Sequence, residues 1–488
     1  MAPLPLRRNL RALLATLGTV VGASGCLAST ALAVDRIYWG NYNGNKISFA
    51  ALNDAGGADL TITGTTVSQP QGVAIDAAAG KIYWAQYSPS KIRVANLNGT
   101  GGGDLPTGTA TVNNPAGLAI DPAGGRAYWS NNGSNRISYA NLDGSGGADL
   151  PTPGATVGAP DGVAVDHAAG KIYWTNFFPT STISWARLDG SGGGNLTITG
   201  TTTVSQPQGL AIDATAGKLY WADAARISYA NLNGTGAANL VTTGATVNSP
   251  AGVAIDTLAG RIYWASFGGG GKISFANRNG SGGRDLITAP ATTDGPSYPV
   301  LLEAPRPAAA PAITGKGSTL TCSTGSWAPD LVESFLYRAP RSFAYRWSRD
   351  GIPLTGVSGN VLKTSSAGEY QCEAAAVNQV GVARQTSAAR AVFTIGKPKR
   401  NRRKGTAALP VTVPDAGTLT LSGKGLVPRT TVVGSLGTFS LPVSAKGKPK
   451  KKLRRKGKVK LAVQVTFKPS AGPTSSRTTT IQLVKRRR

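Results

Sequence analysis

Side chains that could perform acid–base or nucleophilic chemistry are scarce in most of this 488-residue chain. Its one histidine is His167, and no glutamate occurs between Val34 and Leu302. No Ser, His and Asp stand at a spacing typical of a nucleophilic triad. A divalent metal in this region would have to be held by Asp and Asn alone. The sequence therefore predicts no catalytic residue, no metal site and no cofactor.

The most regular carboxylates are five aspartates that end five similar apolar runs. Each begins a turn of the form Asp-x-x-x-Gly, in which an aspartate normally accepts hydrogen bonds from its own turn backbone. His167 follows one of them, where the other copies have Ala, Pro or Thr. We therefore expect His167 and the five aspartates to be structural. The aspartates are Asp76, Asp121, Asp166, Asp213 and Asp256.

A Tyr-Trp pair recurs six times and indicates the architecture. The pairs are spaced by 45, 45, 45, 47 and 43 residues, a period that matches one four-stranded blade of a β-propeller. Each unit divides into four short β-prone runs joined by Gly, Asn, Asp and Pro. Since neighbouring residues of a strand face opposite sides of a sheet, we expect the pairs to pack between blades. The pairs begin at Tyr38, Tyr83, Tyr128, Tyr173, Tyr220 and Tyr263.

The run expected to form the innermost strand of each blade is out of phase with the start of the repeat. No copy precedes Tyr38, whereas a degenerate copy, SYPVLLE at 297–303, follows the last blade. We therefore expect the N-terminal residues to supply three strands of blade one and residues near 297–303 to supply its inner strand. Such closure hides sheet edges that would otherwise be exposed.

Loops that follow the Tyr-Trp pairs carry the candidate ligand-binding residues. The third residue after each Tyr is mostly an amide, and the fourth is mostly aromatic. Flat apolar rings beside groups that both donate and accept hydrogen bonds suit an extracellular glycan or protein ligand. The alternative is that the rings cap blade edges and the amides satisfy loop backbone. The candidates are Asn41, Gln86, Asn131, Asn176 and Asp223 in the first ring, and Tyr42, Tyr87, Phe177, Phe178 and Phe267 in the second.

The repeat resembles the LDL-receptor class B, or YWTD, family over residues 34–304. The resemblance rests on Pro-x-Gly-Val-Ala-x-Asp, then Gly-Lys-Ile-Tyr-Trp, then Leu-Asp-Gly, as in the unit at 160–190. The Thr-Asp that follows Tyr-Trp in the family is replaced here, for example by Thr-Asn at 175–176. The resemblance implies a six-bladed β-propeller, but it does not transfer the ligands of the family.

Two cysteines that follow the repeat, Cys322 and Cys372, predict a disulfide bond in an exported protein. Trp347 lies midway between them, and Tyr370 stands two residues before the second cysteine. With these residues, the segment 305–395 resembles an immunoglobulin-like domain, which implies that Trp347 packs on the disulfide. Such domains are mostly spacers or adhesion modules.

The first 33 residues are typical of an export signal. Arg7 and Arg8 precede an apolar run, and Ala31 to Ala33 form a small-x-small cleavage motif. Lipidation at Cys26 is an alternative. No later apolar run is long enough to span a membrane. The sequence therefore predicts a secreted or cell-surface protein.

Positive charge is concentrated at the C-terminus. Of a net charge of +28, most comes from residues 397–488, where 24 Lys and Arg accompany one acid, Asp415. We predict a basic linker at 396–405 and a basic β module at 406–488. Outside a cell, its clusters suit anionic cell-envelope polymers or lipid headgroups, although a role in solubility alone is the alternative. Specific nucleic-acid binding is not expected, because no aromatic residues interleave the basic runs. The cluster residues are Lys450, Lys451, Lys452, Arg454, Arg455, Lys456, Arg486, Arg487 and Arg488.

These features together predict an all-β protein with three parts: a six-bladed β-propeller, an immunoglobulin-like β-sandwich and a small basic β module. We expect non-catalytic binding or adhesion in which the propeller loops contact the ligand. Two alternatives are a metal-dependent propeller hydrolase of the lactonase or esterase type and a purely structural envelope protein.

Overall fold

The computed structural model describes residues 34–316 and 318–486. Nearly all regular elements in these ranges are β-strands, which confirms the predicted all-β class. The exceptions are the α-helix Gly447–Lys456 and the 3-10 helix Val332–Ser334. Within this described part, no helix has both the length and the apolar character needed to cross a bilayer. The predicted export signal at 1–33, with Cys26, and the cluster residues Arg487 and Arg488 lie outside the described residues.

Six antiparallel sheets, each with four strands from the repeat, form a six-bladed propeller. The inner strands of blades one to six are Pro296–Leu302, Pro70–Asp76, Pro115–Asp121, Pro160–Asp166, Leu210–Asp213 and Pro250–Asp256. The second strands, which carry the Tyr-Trp pairs, are Arg36–Asn41, Lys81–Gln86, Arg126–Asn131, Lys171–Asn176, Lys218–Asp223 and Arg261–Ser266. The third strands are Lys46–Ala51, Lys91–Asn96, Arg136–Asn141, Thr182–Arg187, Arg226–Asn231 and Lys272–Asn277. The short outer strands are Gly57–Asp59, Gly103–Asp104, Gly147–Asp149, Gly193–Asn195, Ala238–Asn239 and Arg284–Asp285.

Blade one is assembled from both ends of the repeat. Its second strand, Arg36–Asn41, pairs with the inner strand Pro296–Leu302, with Tyr38 opposite Val300. The other five blades take their inner strands from the residues just before their own second strands. The phase of the repeat predicts this closure, and it joins the two ends of the repeat within the sheet of blade one.

The six Tyr-Trp pairs lie in the propeller core. Each tryptophan is fully buried, and each tyrosine is nearly so. Four of the indole N–H groups donate to a threonine carbonyl in the loop that precedes an inner strand, as Trp129 Nε1 does to Thr111 O at 2.9 Å. The pairs therefore fill the space between blades and also hold loops to them.

The turns that follow the inner strands define the lower face of the propeller. Each of the five repeat aspartates accepts a hydrogen bond through Oδ1 from the backbone N–H three residues later, at 2.8 to 2.9 Å. His167 Nδ1 lies 2.7 Å from Asp121 Oδ2 and so joins two neighbouring turns. These residues stabilise turns, as the sequence indicates.

A segment of the second domain closes the lower mouth of the propeller channel. Its 3-10 helix, Val332–Ser334, contacts the inner strands, and Ser334 Oγ donates to Ile212 O at 2.6 Å. Leu336–Tyr337 then pairs in parallel with the inner strand of blade one, and both side chains are fully buried. We call residues 329–339 the plug. The sequence predicts these residues within the second domain, and their insertion into the propeller was not expected.

The second domain is a β-sandwich. One sheet contains Ile313–Lys316, Thr319–Cys322 and Val361–Lys363. The other contains Ser342–Arg349, Ile352–Pro353, Gly368–Val377, Val382–Thr386 and Arg390–Val392. A separate pair joins Pro307–Ala309 to Ser326–Trp327. The Cys322–Cys372 disulfide is formed as predicted, and Trp347 is buried in the same apolar cluster.

The C-terminal module has its own core between two four-stranded sheets. The first sheet contains Thr394–Ile395, Lys399–Asn401, Thr406–Val413 and Gly437–Val443. The second contains Gly417–Ser422, Arg429–Val433, Lys458–Pro469 and Ser475–Val484. Both sheets place alternate apolar side chains inward, as in the burial of every second residue along Lys458–Pro469.

Two expectations about this module are corrected by the structure. The segment 396–405 is not a linker, because Lys399–Asn401 pairs with Thr406–Val413 in a hairpin. The basic stretch that begins at Lys446, expected to belong to an all-β module, forms the helix Gly447–Lys456. Lysine and arginine are good helix formers, Leu453 buries one side of the helix, and Gly457 ends it with a positive φ of 68°.

We predict that Leu336→Ala destabilises the propeller by about 2–5 kcal/mol, the usual cost of truncating a buried leucine. The substitution keeps the backbone pairing of the plug and removes only its packing in the channel. Urea unfolding followed by tryptophan fluorescence measures the free energy of unfolding. Leu436→Ala is the matched control, since Leu436 is 71% exposed and its truncation should cost less than about 0.5 kcal/mol. Equal losses in the two variants would show that the plug does not support the propeller.

Candidate functional site on the upper face of the propeller

Two sets of loops meet on the upper face: those that follow the Tyr-Trp pairs and those that enter the inner strands. In all six blades, the residue before the inner-strand proline has a positive φ. In five of them, this turn directs the carbonyl of that residue to the neighbouring loop, where it accepts the backbone N–H of the fourth residue after Tyr. Backbone bonds therefore fix the loop residues that surround the channel. The donors and acceptors are Tyr42 and Gly295 (2.9 Å), Tyr87 and Gln69 (3.1 Å), Asn132 and Asn114 (3.2 Å), Phe177 and Ala159 (3.2 Å), and Phe267 and Ser249 (3.0 Å).

The five loop residues held in this way line one cavity of about 310 Å³. We call this cavity the cup. The Tyr42 ring lies 5.7 Å from the Tyr87 ring and 6.0 Å from the Phe267 ring, so three aromatic side chains form a continuous wall. Phe177 and Asn132 line the cup from other blades. The structure thus brings four of the five predicted aromatic residues together.

A second ring of cup residues was not predicted from the sequence. Each of its members is the residue that directly follows the proline in the Pro-x-Gly stretch or its equivalent. A signal was present, since this position varies among the six repeats while its neighbours largely do not. The ring consists of Gln71, Ala116, Asp161, Gln208, Ala251 and Ser297.

Glycine follows this ring in five blades, because the inner strands approach one another most closely there. A Cβ atom on Gly162 would lie 2.5 Å from Gly209 Cα, and one on Gly252 would lie 2.6 Å from Tyr298 Cα. Blade one has Tyr298 in place of the glycine. Its ring extends across the channel to within contact of Gly209, and it lines the cup. Tyr298 therefore forms part of the floor of the cup.

Asp161 is the one carboxylate among the described residues that line the cup. Its Oδ1 is buried and forms no hydrogen bond, and the same is true of the Tyr298 hydroxyl. Burial raises the pKa of the Asp161 carboxyl to about 7. Buried polar atoms without partners are rare in folded proteins. Two of them at one cavity indicate a place where a ligand can supply the missing hydrogen bonds.

The amide ring lies behind the cup and does not face it. Asn131 Oδ1 accepts from the Asn113 N–H at 2.9 Å and from Trp129 Nε1 at 3.2 Å, while its Nδ2 donates to Ser138 Oγ at 2.8 Å. These side chains are buried, and the polar atoms of Asn131 already bond the fold. This arrangement favours the alternative stated from the sequence, in which the amides satisfy loop backbone, over direct contact of the ring with a ligand. The fully buried ring residues are Asn41, Gln86, Asn131, Asn176 and Asp223.

Gln86 and Asp223, which replace asparagine in this ring, keep the bond to the loop backbone: they accept the N–H of Ser68 at 3.2 Å and of Ser205 at 2.8 Å. Gln86 Nε2 also donates to Pro89 O at 3.1 Å, and Asp223 forms an ion pair with Arg226 at 3.0 Å. Phe178 differs from the other predicted aromatic residues, because it is 68% exposed and does not line the cup.

The cup combines aromatic rings, amide groups, one carboxylate and several hydroxyl groups. The described residues contain no group of three or more His, Cys, Asp or Glu side chains placed to hold a metal ion. The donor set on the upper face is therefore suited to enclosing a ligand and hydrogen-bonding it.

The C-terminal module presents the second candidate surface. Its helix Gly447–Lys456 carries six of the predicted cluster residues, and all six are exposed to solvent. Arg486 is also exposed. The helix thus concentrates positive charge on a single short element. The six residues are Lys450, Lys451, Lys452, Arg454, Arg455 and Lys456.

Comparisons with solved structures find similar chains at low identity. A chain of a nidogen/laminin complex is 20% identical, with a TM-score of 0.46 over 55% of this chain and 98% of that chain. A gluconolactonase from Xanthomonas campestris is 16% identical, with a TM-score of 0.37 over 53% and 84%. The hydrazine synthase of Kuenenia stuttgartiensis is 12% identical, with a TM-score of 0.37 over 49% and 72%.

No protein-family model matches the sequence, and no curated protein matches it. The structural similarities are too low to indicate a ligand or an activity.

We predict that Asn131→Ala lowers the free energy of unfolding by about 1–3 kcal/mol, because the Asn113 N–H loses its acceptor, Trp129 Nε1 loses one of its two acceptors, and Ser138 Oγ loses a donor. Asn132→Ala is the matched control. Asn132 is the next residue along the chain, but it lines the cup, so its loss should change stability by less than about 0.5 kcal/mol. Urea titration of both variants provides the measurement. Destabilisation by Asn132→Ala that equals that of Asn131→Ala would contradict the assignment.

Proposed function

We propose that this is an exported, non-catalytic binding protein that holds one group of a protein or glycan ligand in the cup. The observation that carries the proposal is an aromatic wall beside two unpaired buried polar atoms, Asp161 Oδ1 and Tyr298 Oη. Ligand sites typically combine apolar and aromatic surface with a few convergent polar groups. The cup has this composition.

The size of the cup limits what it can receive. Its volume of about 310 Å³ is at the lower end for small-molecule sites. A single side chain or one terminal sugar fits this space, whereas a folded surface would contact only the rim. We therefore propose that the ligand is a larger molecule that inserts one projecting group.

The charge of the cup favours a cationic group. A lysine, an arginine or the ammonium of an amino sugar would pair with Asp161 through a charge-assisted hydrogen bond. The same cation would lie beside the rings of Tyr42, Tyr87 and Phe267, whose faces attract positive charge. A hydroxyl or carbonyl next to the cation could then bond Tyr298.

Local features support the finer assignments of the domains. We propose that the propeller is of the LDL-receptor class B type, because its Tyr-Trp pairs and Pro-x-Gly stretches have the roles that a blade of this type needs. We propose that the second domain is immunoglobulin-like. In support, Trp347 is buried near the disulfide, and the Tyr370 hydroxyl donates to Ser366 O at 3.1 Å, as in a tyrosine corner.

An extracellular location accords with the disulfide, since such bonds persist mainly in oxidising compartments. The hydrolase alternative has no specific observation in its favour. A single carboxylate is among the described residues that line the cup, and the side-chain amides of the ring behind the cup already hydrogen-bond the loops.

We further propose that the basic helix holds the protein near an anionic envelope polymer or lipid surface. Seven exposed cations on one ten-residue helix support this role. Each such charge contributes about 1 kcal/mol of attraction near an anionic surface.

We predict that the cup binds a lysine-containing peptide about ten-fold more tightly at pH 8 than at pH 6. The pKa of Asp161 is about 7, so the carboxyl is mostly neutral at pH 6 and mostly ionised at pH 8, and only the ionised form pairs with a cation. Asp161→Asn should remove this pH dependence and weaken binding about ten-fold or more at pH 8. Calorimetric titration of the full chain measures both effects.

Controls separate this site from general electrostatics. The same peptide with norleucine in place of lysine should bind weakly at either pH. Asp143→Asn removes an exposed aspartate outside the cup and should leave binding unchanged. Tyr42→Ala combined with Phe177→Ala should abolish binding. Retention of full affinity in the Asp161→Asn variant would exclude a cation site. If glycans but not cationic peptides bind, and the Tyr42 and Phe177 double variant loses them, the cup is a sugar site.

We predict that changing Lys450, Lys451, Lys452 and Lys456 to Gln weakens retention on poly(glycerol phosphate) beads or on phosphatidylglycerol vesicles by about 10³-fold at low salt. Glutamine keeps the helix while it removes the charge. Deletion of 446–488 is unsuitable, because it would remove the strands Lys458–Pro469 and Ser475–Val484 from the module core. The beads and the vesicles distinguish polymer from lipid.

The matched control changes four other exposed cations of the same module, Lys397, Lys399, Arg402 and Lys404, to Gln. It lowers the net charge equally, but it should weaken retention much less. Equal weakening in both variants would show that overall charge, rather than the helix, is responsible. Raised salt should mimic the helix variant, because it screens exposed charges.

A further inference from the structure

A cleft at the junction of the sandwich and the C-terminal module is lined by cationic and hydroxyl groups. Its volume is about 740 Å³, and its lining includes Arg390, Arg477, Ser318, Ser475 and Thr479. No carboxylate is among its described lining residues. The cleft is therefore electropositive and rich in hydrogen-bond donors, and it is separate from both the cup and the basic helix.

The strand Ser475–Val484 determines which side chains turn inward at the cleft. Residues 475, 477 and 479 are half-buried, whereas 476, 478 and 480 are exposed. This alternation follows from the two-residue period of a β-strand. It places Ser475, Arg477 and Thr479 on one face, with successive Cβ atoms about 7 Å apart.

Arg477 lacks a partner for part of its guanidinium. Its Nη2 is buried and forms no hydrogen bond within the described part of the chain. The guanidinium carbon lies 5.7 Å from the centre of the Phe393 ring, so this ring packs against one side of the planar guanidinium. Burial lowers the pKa of Arg477, as expected for a cation that has lost water without gaining a counter-ion.

Two neighbouring groups complete the arrangement. The Ser475 hydroxyl is also buried without a hydrogen-bond partner. Arg390 lies on the opposite side of the cleft, where its Nη1 donates to Ile313 O at 2.7 Å and its Nη2 donates to Gly315 O at 3.3 Å. These two bonds fix the Arg390 guanidinium at the wall, so its positive charge is held in place.

No acidic side chain of the described residues lines the cleft to supply the missing anion. Asp415 is the one acid between Lys397 and the C-terminus, and its Oδ1 accepts the backbone N–H of Ala416. In the sandwich, Glu373 is paired with Arg384 at 2.8 Å. A counter-ion for Arg477 can come from solution or from a partner molecule.

We propose that this cleft binds a tetrahedral oxyanion, a phosphate or sulfate group, with Arg477 Nη2 and Ser475 Oγ as direct hydrogen-bond donors. Arginine presents paired N–H groups that match such oxyanions, and a hydroxyl donor from a second direction suits a tetrahedral group better than a planar carboxylate. Arg390 adds positive charge from the opposite wall. The proposal is independent of the function proposed for the cup.

The test is titration of the full chain with inorganic phosphate at constant ionic strength, made up with sodium chloride and followed by calorimetry. The wild-type protein should bind saturably. Arg477→Gln should weaken binding at least about ten-fold, and Ser475→Ala should weaken it several-fold. Arg429→Gln is the matched control, because Arg429 is an exposed arginine on another strand of the same module, and it should bind as the wild type does.

Thermal stability in chloride alone distinguishes a site from a structural role. If Arg477 is held for a ligand, Arg477→Gln should melt at the same temperature as the wild type or higher, because an unpaired buried cation is removed. A clearly lower melting temperature of this variant in chloride would overturn the proposal. Phosphate affinity that is equal in Arg477→Gln and the wild type would also overturn it.

Two further arms identify the source of the oxyanion. Poly(glycerol phosphate) binding that is displaced by inorganic phosphate and lost in Arg477→Gln would assign the bound group to a phosphodiester polymer. Phosphatidylglycerol vesicles test a lipid headgroup in the same way. Saturable binding of inorganic phosphate with neither polymer nor vesicle effect would assign the cleft to the free anion.

Discussion

The close approach of six inner strands around one axis is the constraint on which the propeller depends. At the Pro-x-Gly stretch, a Cβ on Gly72, Gly117 or Gly162 would lie 2.4 to 2.5 Å from a backbone atom of the next blade. Only glycine fits there without displacement of the backbone. The constraint fixes the distance between blades. The Tyr-Trp pairs, which pack between blades further from the axis, can then fill the remaining space.

The same constraint produces the cup. The residue before each inner-strand proline turns the chain sharply. In five blades, the carbonyl of this residue points at the loop of the same blade and accepts the backbone N–H of a residue that lines the cup. The wall is thus positioned by main-chain bonds and is free to vary in side chain. Tyr298 is the exception that gives the cup a floor, since it takes the place of a glycine and crosses the channel towards Gly209. The plug closes the opposite end.

Repetition explains what the sequence could and could not predict. The blades and their closure follow from a period that is repeated six times, and the aromatic loop residues follow from their fixed distance to Tyr. The sequence left open whether the amide ring faces a ligand or the loop backbone, because residue type cannot tell whether Asn131 turns towards a ligand or towards Trp129. Asp161 was missed because it occurs in one repeat only. The plug was missed because its contact between Ser334 and Ile212 joins residues 122 positions apart with no shared pattern. The basic helix was missed because its single buried residue, Leu453, gives no apolar period.

Unpaired buried polar atoms occur both in the packed core and at the two cavities. Trp84 and Trp221 have unpaired indole N–H groups in the core, where Glu303 Oε1 is also unpaired. For the two indoles the cause is local, because the side chain two positions later, Gln86 or Asp223, does not accept the indole N–H as Asn131 does. Asp161 and Arg477, by contrast, are ionisable and lie at cavities large enough for a ligand. In the core, a hydrogen bond can be lost because the repeats differ in sequence at the position of the acceptor. An ionisable group that lacks a hydrogen bond at a cavity can be paired by a ligand of opposite charge. The cup, with Asp161, favours a cation, whereas the cleft, with Arg477, favours an anion.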